Sequence, residues 1–429
     1  QASYSKGDYQ TFVHSAQITD IKFDAQYKYA IYNSEKKTLE GPFMFRAPNP
    51  QPSARQRNFI LYGDLDSSED GTQSIEYIKK IANDHSKPID AIFHIGDLAY
   101  DLEKKAGKRG DDFMEAIQDI AANVPYMVTM GNHETMNNFS NFNMRFQMPN
   151  FKSSQNHFYS VNIDNVHFVS IDLELPVLQP ELLVNVANWL EKDLKEANAN
   201  RAQRPWIIVY SHRPIYCSDM TERDDCAQNS VRFSSIEDLL YKYAVDLYFS
   251  GHVHVYERNF PVHKGQVMTY TNPMLSDVGN HYIQDPQAPM YIVEGIPGHD
   301  DYPAGKPLYA VKNFCAKLDR DYSIGMISVQ NNTHLLWQMI HTSDGSVGDY
   351  VYLIKTQNAY SPNTFSSFLE EDEEVIVSMS VSESSSESYK FYLIGLSVVC
   401  LLAVAYFSLI KRSRNIEINT ELSMEIANQ

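Results

Sequence analysis

Residues 89–100 read Ile-Asp-Ala-Ile-Phe-His-Ile-Gly-Asp-Leu-Ala-Tyr. The apolar run predicts a buried β-strand, and the side chains of Asp97 and Tyr100 follow directly after the strand ends. The same order, an apolar strand and then a polar side chain, recurs at four other places along the 429 residues. Because ligand sites of open α/β sheets form outside the carboxyl ends of the strands, we expect these polar side chains to meet at one edge of a sheet.

The four other places supply the remaining candidate metal ligands. In chain order they are Tyr-Gly-Asp64 after residues 58–62, Gly-Asn132-His133-Glu134 after residues 125–130, Ser-His212-Arg after residues 206–210, and Gly-His252-Val-His254 after residues 245–249. With the first motif they offer two carboxylates, a phenol, an amide and three imidazoles. This mixture of oxygen and nitrogen donors suits a pair of hard or borderline cations, and two cations held close together are typical of phosphoester hydrolysis.

Two of these residues have distinct expected roles. Asp97 is best placed to bridge two cations, because a carboxylate has two oxygens with lone pairs to spare. Tyr100 discriminates between metals, since a phenolate is a poor ligand for Zn²⁺ or Mg²⁺ and a good one for ferric iron. The alternative for Tyr100 is an ordinary core residue, because the chain contains 28 tyrosines.

Between the strands, apolar residues recur at helical spacing. Strand, helix and strand in this order predict βαβ units with buried strands, and therefore an α/β domain over residues 58–355. A hairpin around Asp164-Asn165 interrupts the alternation, and the last segments are β again. The predicted helices cover residues 72–85, 111–122, 181–198 and 236–243, and the late strands lie within residues 291–294 and 323–341.

The N-terminal segment, residues 1–48, predicts β-structure of a different kind. Residues 27–32 alternate apolar and polar side chains, and residues 41–46 follow after a polar turn. Because two or three strands rarely form an independent sheet, we expect this segment to be the end of a β-sandwich whose first half lies before residue 1. Residues 49–57, rich in Pro, Gln, Ser and Arg, predict a linker.

The C-terminal sequence predicts a membrane anchor. Residues 391–410 contain no charged side chain, and a helix of this length spans about 30 Å, the thickness of a bilayer core. The acidic, then Ser-rich residues 356–390 predict a flexible stalk, and the basic residues after 410 place residues 411–429 in the cytosol. We therefore expect a single-pass type I membrane protein with an extracellular or lumenal body at the cell surface, the lysosome or another endomembrane. A buried core helix is the alternative.

The net charge bears on the partners of the protein, and the cysteines and glycosylation sequons agree with this topology. A net charge of −18 argues against nucleic acid as a partner, because phosphate backbones are bound by basic surfaces. Cys217 and Cys226 bracket a polar loop and predict a local disulfide, since zinc ligation would need a second Cys/His pair at matching spacing. Asn138 and Asn331 begin glycosylation sequons.

In this order the motifs resemble the calcineurin-like metallophosphoesterases and, within them, the long animal-type form of the purple acid phosphatases. The resemblance rests on Gly-Asp-Leu-Ala-Tyr, Gly-Asn-His-Glu and Gly-His-Val-His-Val-Tyr-Glu-Arg. It implies a two-sheet α/β sandwich domain preceded by a fibronectin-III-like sandwich. It also implies two cations: Fe(III) held by Asp64, Asp97, Tyr100 and His254, and a divalent Zn, Fe or Mn held by Asp97, Asn132, His212 and His252.

The resemblance further implies an acid phosphatase that hydrolyses small phosphate monoesters by attack of a metal-bound hydroxide. Asn132 and His133 are then expected to contact the substrate, with His133 as the catalytic residue; orientation of a metal ligand is the alternative role for His133. Glu134 is expected to be a structural hydrogen-bond partner. The chain departs from the family at Asp66, where a glycine is usual, and at residues 223–225, where plant members carry substrate-binding histidines.

Two other functions remain as alternatives. The first is a catalytically inactive phosphatase-like membrane ectodomain for adhesion or recognition, which the complete set of candidate ligands disfavours. The second is a phosphodiesterase or nuclease, which Tyr100 and the acidic net charge disfavour.

Overall fold

Two mixed β-sheets form the body of the protein in a computed structural model that describes residues 2–6, 9–34, 36–218, 225–268, 281–298 and 311–356. The strands are β1 (Ala2–Lys6), β2 (Tyr9–Val13), β3 (Gln26–Asn33), β4 (Thr38–Arg46), β5 (Arg57–Tyr62), β6 (Ala91–Ile95), β7 (Tyr126–Thr129), β8 (Phe158–Ile163), β9 (Val166–Ile171), β10 (Trp206–Tyr210), β11 (Leu247–Ser250), β12 (Tyr256–His263), β13 (Gln266–Val267), β14 (Tyr282–Gln284), β15 (Met290–Glu294), β16 (Cys315–Asp319), β17 (Ser323–Val329), β18 (His334–His341) and β19 (Val347–Ile354).

The helices lie mainly between the strands of the first two thirds of the chain. The α-helices are α1 (Glu69–Ala82), α2 (Lys108–Ala116), α3 (Gln118–Ala121), α4 (Met136–Arg145), α5 (Phe151–Ser154), α6 (Glu174–Leu178), α7 (Leu183–Ala199), α8 (Asp225–Arg232) and α9 (Ser234–Lys242). Short 3₁₀ turns cover Lys104–Gly107, Asn132–Glu134 and Pro180–Leu182.

Each sheet contains a set of neighbouring parallel strands, which brings several strand ends to one edge. The first sheet has the order β14-β19-β18-β17-β5-β6-β7, and β5, β6 and β7 run parallel. The second has the order β13-β12-β15-β11-β10-β9-β8, with β16 paired to β12, and β9, β10, β11 and β15 run parallel. Parallel neighbours end at the same edge, so the loops that follow them lie side by side.

The core lies between the sheets, and helices cover their outer faces. Phe93 of the first sheet stacks on Phe168 of the second with 4.4 Å between ring centroids. Ile75 and Ile78 of α1 pack on the outside of the first sheet, and apolar side chains of α7 and α9 pack on the outside of the second. The layering confirms the predicted α/β class with two sheets. It also explains the continuous apolar runs in the sequence, because both faces of the central strands are buried.

Element boundaries depart from the predictions in a few places. Helix α1 begins at Glu69, one turn before the predicted residue 72, and its first turn carries two acidic side chains that favour a helix N-terminus. The single helix predicted over residues 111–122 is two helices, α2 and α3, separated at Ile117. Strands β1 and β2 lie within residues 1–48, where β-structure was predicted, but no strand was located at these two segments because neither has a clear alternation.

A buried arginine attaches the N-terminal strands to the α/β body. Strands β1 and β2 form one hairpin, and β3 and β4 another. Arg57, the first residue of β5, is fully buried and pairs with Asp24 at 2.6 Å, Asp90 at 3.0 Å and Asp164 at 2.8 Å. Because these carboxylates come from three separate segments, one guanidinium fixes the N-terminal segment against two loops of the body.

The predicted stalk, membrane helix and cytosolic tail lie outside the described residues. Among the helices that are described, none is both long and apolar enough to cross a bilayer.

Replacing Asp24 by asparagine tests the attachment through its pH dependence. The hydrogen bond from Arg57 lowers the pKa of Asp24 to about 2, against 3.8 ordinarily. A lowered folded-state pKa contributes stability above pH 4 that is lost as pH falls toward 2. We expect Asp24→Asn to lower the free energy of unfolding by up to about 1 kcal/mol near neutral pH, allowing for solvent screening, and by less near pH 3.

Urea denaturation at the two pH values measures this difference. The control is Asp20→Asn, an exposed carboxylate of the same segment that accepts a hydrogen bond from Thr19. An equal effect of Asp24→Asn at both pH values would contradict a charge-based attachment.

Candidate metal centre

The two sheets meet at one edge, where five strand ends carry the candidate ligands. Asp64 follows β5, Asp97 and Tyr100 follow β6, Asn132 follows β7, His212 follows β10, and His252 and His254 lie between β11 and β12. The first three strands belong to one sheet and the other two to its partner. Both sheets therefore build the site, as the strand-end positions of the motifs predict.

Three of the side chains form a compact group. The Tyr100 hydroxyl oxygen lies 2.7 Å from His254 Nε2 and 3.5 Å from Asp64 Oδ1. His254 Nε2 lies 3.5 Å from the same Asp64 oxygen. Asp64 is fully buried, and Tyr100 and His254 are nearly so. A phenol, an imidazole and a carboxylate thus converge on one point.

The other ligands converge beside this group. His212 Nε2 lies 3.2 Å from Asp97 Oδ2 and 3.2 Å from Asn132 Oδ1. Asp97, His212 and His252 each offer one ligand atom within 4.8 Å of the others. His212 Nε2 is also 4.0 Å from Asp64 Oδ1, so the two groups adjoin. The structure brings all seven predicted ligands together.

The spacing and charge of these atoms fit two adjacent cations. Ligand atoms that each lie about 2.0–2.2 Å from one cation are about 3–3.5 Å from each other, which is close to the separations in both groups. Two buried carboxylates also need positive charge nearby. Although burial lowers the pKa of His212, the Asp97 and Asp64 carboxylates raise it to about 10, so the pocket strongly favours positive charge.

A backbone contact orients the His212 ring. Its Nδ1 lies 2.9 Å from the carbonyl oxygen of Ile95. A carbonyl only accepts hydrogen bonds, so Nδ1 donates and Nε2 faces the ligand groups. Such a bond to the remote nitrogen is the usual way in which a protein fixes a metal-binding histidine.

The ligand loops have strained backbones. Left-handed φ values between 50° and 75° occur at Asp64, Asp97, Ala99, Tyr100, Asp101 and His252. Such conformations of non-glycine residues cost about 1–3 kcal/mol each and persist only where the surroundings hold them. Their concentration at this edge indicates that tertiary contacts impose the ligand positions.

The backbone at Gly131 and Gly251 lies so close to the Asp97 and Asp64 carboxylates that a side chain would not fit there. A Cβ on Gly131 would lie 2.2 Å from Asp97 Oδ1, and a Cβ on Gly251 would lie 2.2 Å from Asp64 Oδ2. Both positions therefore require glycine for steric reasons, which explains why glycine precedes Asn132 and His252.

Glu134 holds two ligand loops, in agreement with its expected structural role. Its buried carboxylate accepts hydrogen bonds from the backbone N–H groups of Asp97 at 2.9 Å, Leu98 at 2.8 Å and Gly131 at 2.8 Å. Burial and the nearby Asp97 charge raise the pKa of Glu134 well above its ordinary value, while the backbone donors oppose the shift.

His133 has a carboxylate partner that the sequence reasoning missed. Its Nδ1 lies 2.8 Å from Asp101 Oδ1, and its Nε2 lies 3.9 Å from Asp97 Oδ2. The His133 side chain is 33% exposed, so it borders both the ligands and solvent. Burial raises the pKa of Asp101, but hydrogen bonds from Lys104 and His133 lower it overall. The sequence feature that could have indicated this partner of His133 is the position of Asp101 directly after Tyr100.

A second missed pair adjoins His252. Arg213 Nη1 lies 2.7 Å from His252 Nε2, and Glu174 holds the same guanidinium through two hydrogen bonds of 2.8 Å and 2.9 Å. This fork-to-fork geometry keeps a positive charge beside the ligands. The motif Ser-His-Arg contains Arg213, but nothing local identifies Glu174 as its partner.

The remaining predicted residues do not belong to the ligand groups. Cys217 and Cys226 form the predicted disulfide, with 5.4 Å between their Cα atoms. Asn138 and Asn331 are exposed, on α4 and between β17 and β18. Residues 223 and 224 and the side chain of Asp225 lie outside the described part of the chain.

Comparisons with known proteins agree with this geometry. The calcineurin-like phosphoesterase family model matches residues 58–256, and the iron/zinc purple acid phosphatase-like protein C model matches residues 288–350. Acid phosphatase type 7 of Danio rerio is 35% identical over 81% of this chain and 78% of its own length. Its Homo sapiens counterpart is 30% identical over 80% of this chain and 77% of its own length.

A solved structure shows the same fold. A purple acid phosphatase from yellow lupin (Lupinus luteus) seeds is similar with a TM-score of 0.64 at 20% identity, covering 80% of this chain and 62% of that chain. The fold and the site define a calcineurin-like phosphoesterase. Within that class, the chain belongs to the purple acid phosphatases. These matches confirm the predicted family and the predicted enzyme class.

Replacing Glu134 by glutamine tests its role as the support of both ligand loops. The new amide group would point an N–H₂ donor at one of the three backbone N–H groups. We expect Glu134→Gln to lower the free energy of unfolding by about 1–3 kcal/mol. Urea denaturation measures the loss, and exposed Glu115→Gln on α2 should change stability by less than about 0.5 kcal/mol. Equal values for the two variants would contradict this support role.

Proposed function

We propose that this chain is an iron-containing acid phosphatase that hydrolyses small phosphate monoesters at the seven-ligand cluster. The observation that carries the proposal is the position of the Tyr100 hydroxyl, 2.7 Å from His254 Nε2 and 3.5 Å from Asp64 Oδ1. A buried phenol among hard anionic and imidazole ligands is a ferric-iron environment, since phenolate binds ferric iron far better than Zn²⁺ or Mg²⁺.

The proposed metal ligands divide into two sets that share Asp97. Asp64, Asp97, Tyr100 and His254 would hold Fe(III), and Asp97, Asn132, His212 and His252 would hold divalent Zn, Fe or Mn. When bound, the pair supplies Lewis acidity, which lowers the pKa of water and neutralises charge on the phosphoryl group.

His133 is the proposed proton donor to the leaving group. Asp101 accepts from its Nδ1 at 2.8 Å, which fixes the orientation of the ring. In the proposed role the other nitrogen, Nε2, donates the proton to the leaving group at the border of the ligand cluster and solvent. Asn132 adds two N–H donors at Nδ2 for a phosphate oxygen, because its Oδ1 faces His212.

Charge favours a small substrate over a polymer. The two proposed cations would supply the positive charge that attracts a phosphate group, and Arg213, paired with Glu174, orients His252 beside them. The chain as a whole has a net charge of −18, which repels nucleic acid. The attraction is therefore local to the cluster.

We propose that the catalytic domain is extracellular or lumenal, at the cell surface, the lysosome or another endomembrane, on a type I membrane protein. The disulfide and the exposed sequon residues Asn138 and Asn331 support this topology. The uncharged residues 391–410 and the basic residues after them support the anchor. The hairpins of residues 2–46 support the proposal that the N-terminal segment belongs to a fibronectin-III-like sandwich.

Hydrolysis of p-nitrophenyl phosphate tests the proposed activity. Iron- and zinc-loaded full-length protein should release p-nitrophenol between about pH 4 and pH 7. His212→Ala should reduce the rate to background, because the ring contacts both ligand groups. Equal rates for wild type and variant would favour the alternative of an inactive ectodomain for adhesion or recognition.

The iron assignment predicts a coloured protein. Iron-loaded wild type should absorb visible light through charge transfer from Tyr100 to iron, and Tyr100→Phe should abolish the band. An absorption spectrum and metal analysis of the same preparations measure this. Tyr62→Phe is the control, since Tyr62 is a buried tyrosine that bonds Tyr126 instead. A colourless wild type with full iron content would refute the assignment.

The proton-donor role of His133 predicts a dependence on the leaving group. His133→Ala should lower kcat about 10²–10⁴-fold for alkyl phosphates, whose leaving group needs a proton, and much less for p-nitrophenyl phosphate. Asp101→Asn should show the same pattern more weakly. Steady-state kinetics with both substrates measure the contrast. An equal loss with both substrates would instead assign His133 to phosphate contact or ligand orientation.

A further inference from the structure

Asp66, which stands where the family usually has glycine, makes two contacts beside the Asp64 loop. It is 5% exposed, and its Oδ1 accepts a hydrogen bond of 2.6 Å from the N–H of Ser67. The same oxygen pairs with Nη2 of Arg109, the second residue of α2. A buried carboxylate needs such a partner, so Asp66 and Arg109 belong together as one ion pair.

Arg109 also reaches the loop that carries Tyr100. Its Nε donates to the carbonyl oxygen of Ala99 at 2.9 Å. The N–H of Ala99 donates to the carbonyl oxygen of Leu65 at 3.2 Å. Leu65 therefore holds Ala99 at its N–H group, and Arg109, which pairs with Asp66, holds Ala99 at its carbonyl group.

The position of the Ala99 carbonyl group determines the position of the Tyr100 backbone. This carbonyl belongs to the planar peptide unit that includes the Tyr100 nitrogen, so fixing the carbonyl fixes where the Tyr100 backbone begins. Ala99 and Tyr100 both have left-handed conformations, with φ of 61° and 50°. Without contacts that hold it, this peptide would relax toward an unstrained conformation and carry the phenol away from its neighbours.

We propose that Asp66 and Arg109 are positioning residues for the Tyr100 phenol. Asp66 orients the guanidinium, and the guanidinium holds the Ala99–Tyr100 peptide in the conformation that directs the phenol toward Asp64 and His254. The inference rests on the proposed role of Tyr100 as an iron ligand. It assigns a function to the carboxylate that replaces the family's glycine.

A second ion pair on the same helix provides a matched control. Asp111 of α2 pairs with Arg145 at 2.6 Å, and Arg145 is 7% exposed. The other contacts of Arg145 are with Asn141 and the Gly107 carbonyl, away from Ala99. Asp111 also accepts a hydrogen bond from Thr11 of β2, so Asp111→Asn disturbs an ion pair on α2 that links α4 and the N-terminal segment rather than Ala99.

The test measures iron binding and colour in four full-length variants: Asp66→Asn, Arg109→Met, their combination, and Asp111→Asn. Asp66→Asn and Arg109→Met should weaken iron retention against a chelator about 10- to 100-fold, the usual effect of removing a group that orients a metal ligand. They should also shift or weaken the visible band while leaving zinc retention unchanged. The double variant should match Arg109→Met, because Asp66 acts through Arg109. Asp111→Asn should match wild type.

Three results would overturn the proposal. One is wild-type iron retention and colour in both single variants. Another is an equal loss of iron and zinc, which indicates general damage. The third is an effect of Asp111→Asn as large as that of Asp66→Asn. Failure of the underlying iron assignment is separate, since it would leave wild type itself colourless with full iron content.

Discussion

One imidazole joins the two halves of the site, and the site depends on it. His212 follows β10 of the second sheet, yet its Nδ1–H donates to the Ile95 carbonyl at the end of β6 in the first. Its Nε2 thereby faces Asp97 and Asn132, which follow strands of the first sheet. A backbone bond at the same edge, from Gly63 N–H to the Glu294 carbonyl at 2.8 Å, joins the sheets again. Because both sheets pack over a shared core, they hold the ligand atoms at short separations.

The unfavourable free energy of this arrangement, from charge repulsion and backbone strain, arises in the ligand loops. Carboxylates that repel each other are buried together, and several ligand residues take left-handed conformations. Side chains outside the ligand set hold the loops: Glu134 accepts from two of them, Glu174 fixes Arg213 beside His252, and Arg109 links Asp66 to Ala99. These partners do not themselves occupy ligand positions. They explain how a strained cluster persists in a stable domain, since each supplies hydrogen bonds to groups that would otherwise be unsatisfied.

Much of the fold followed from local patterns. The apolar runs before Asp64, Asp97 and His212 are buried strands because helices and the opposite sheet cover both faces. The boundaries of α1 and the division between α2 and α3 were less predictable, since acidic side chains in the first turn and a single turn residue shift a helix end without changing its apolar spacing. The N-terminal segment was predicted to be β, but β1 and β2 have no strong alternation and were not located individually.

The sequence by itself determined which residue types lie at the strand ends, and therefore the seven ligand candidates and the family, because an apolar run followed by Gly-Asp or Gly-His is a local pattern. Only the tertiary structure decided which groups hold those ligands in place. Arg109 lies 43 residues from Asp66, and Arg213 lies 39 from Glu174. No local spacing relates such partners, since their meeting depends on how loops from different strands approach each other after the sheets have packed.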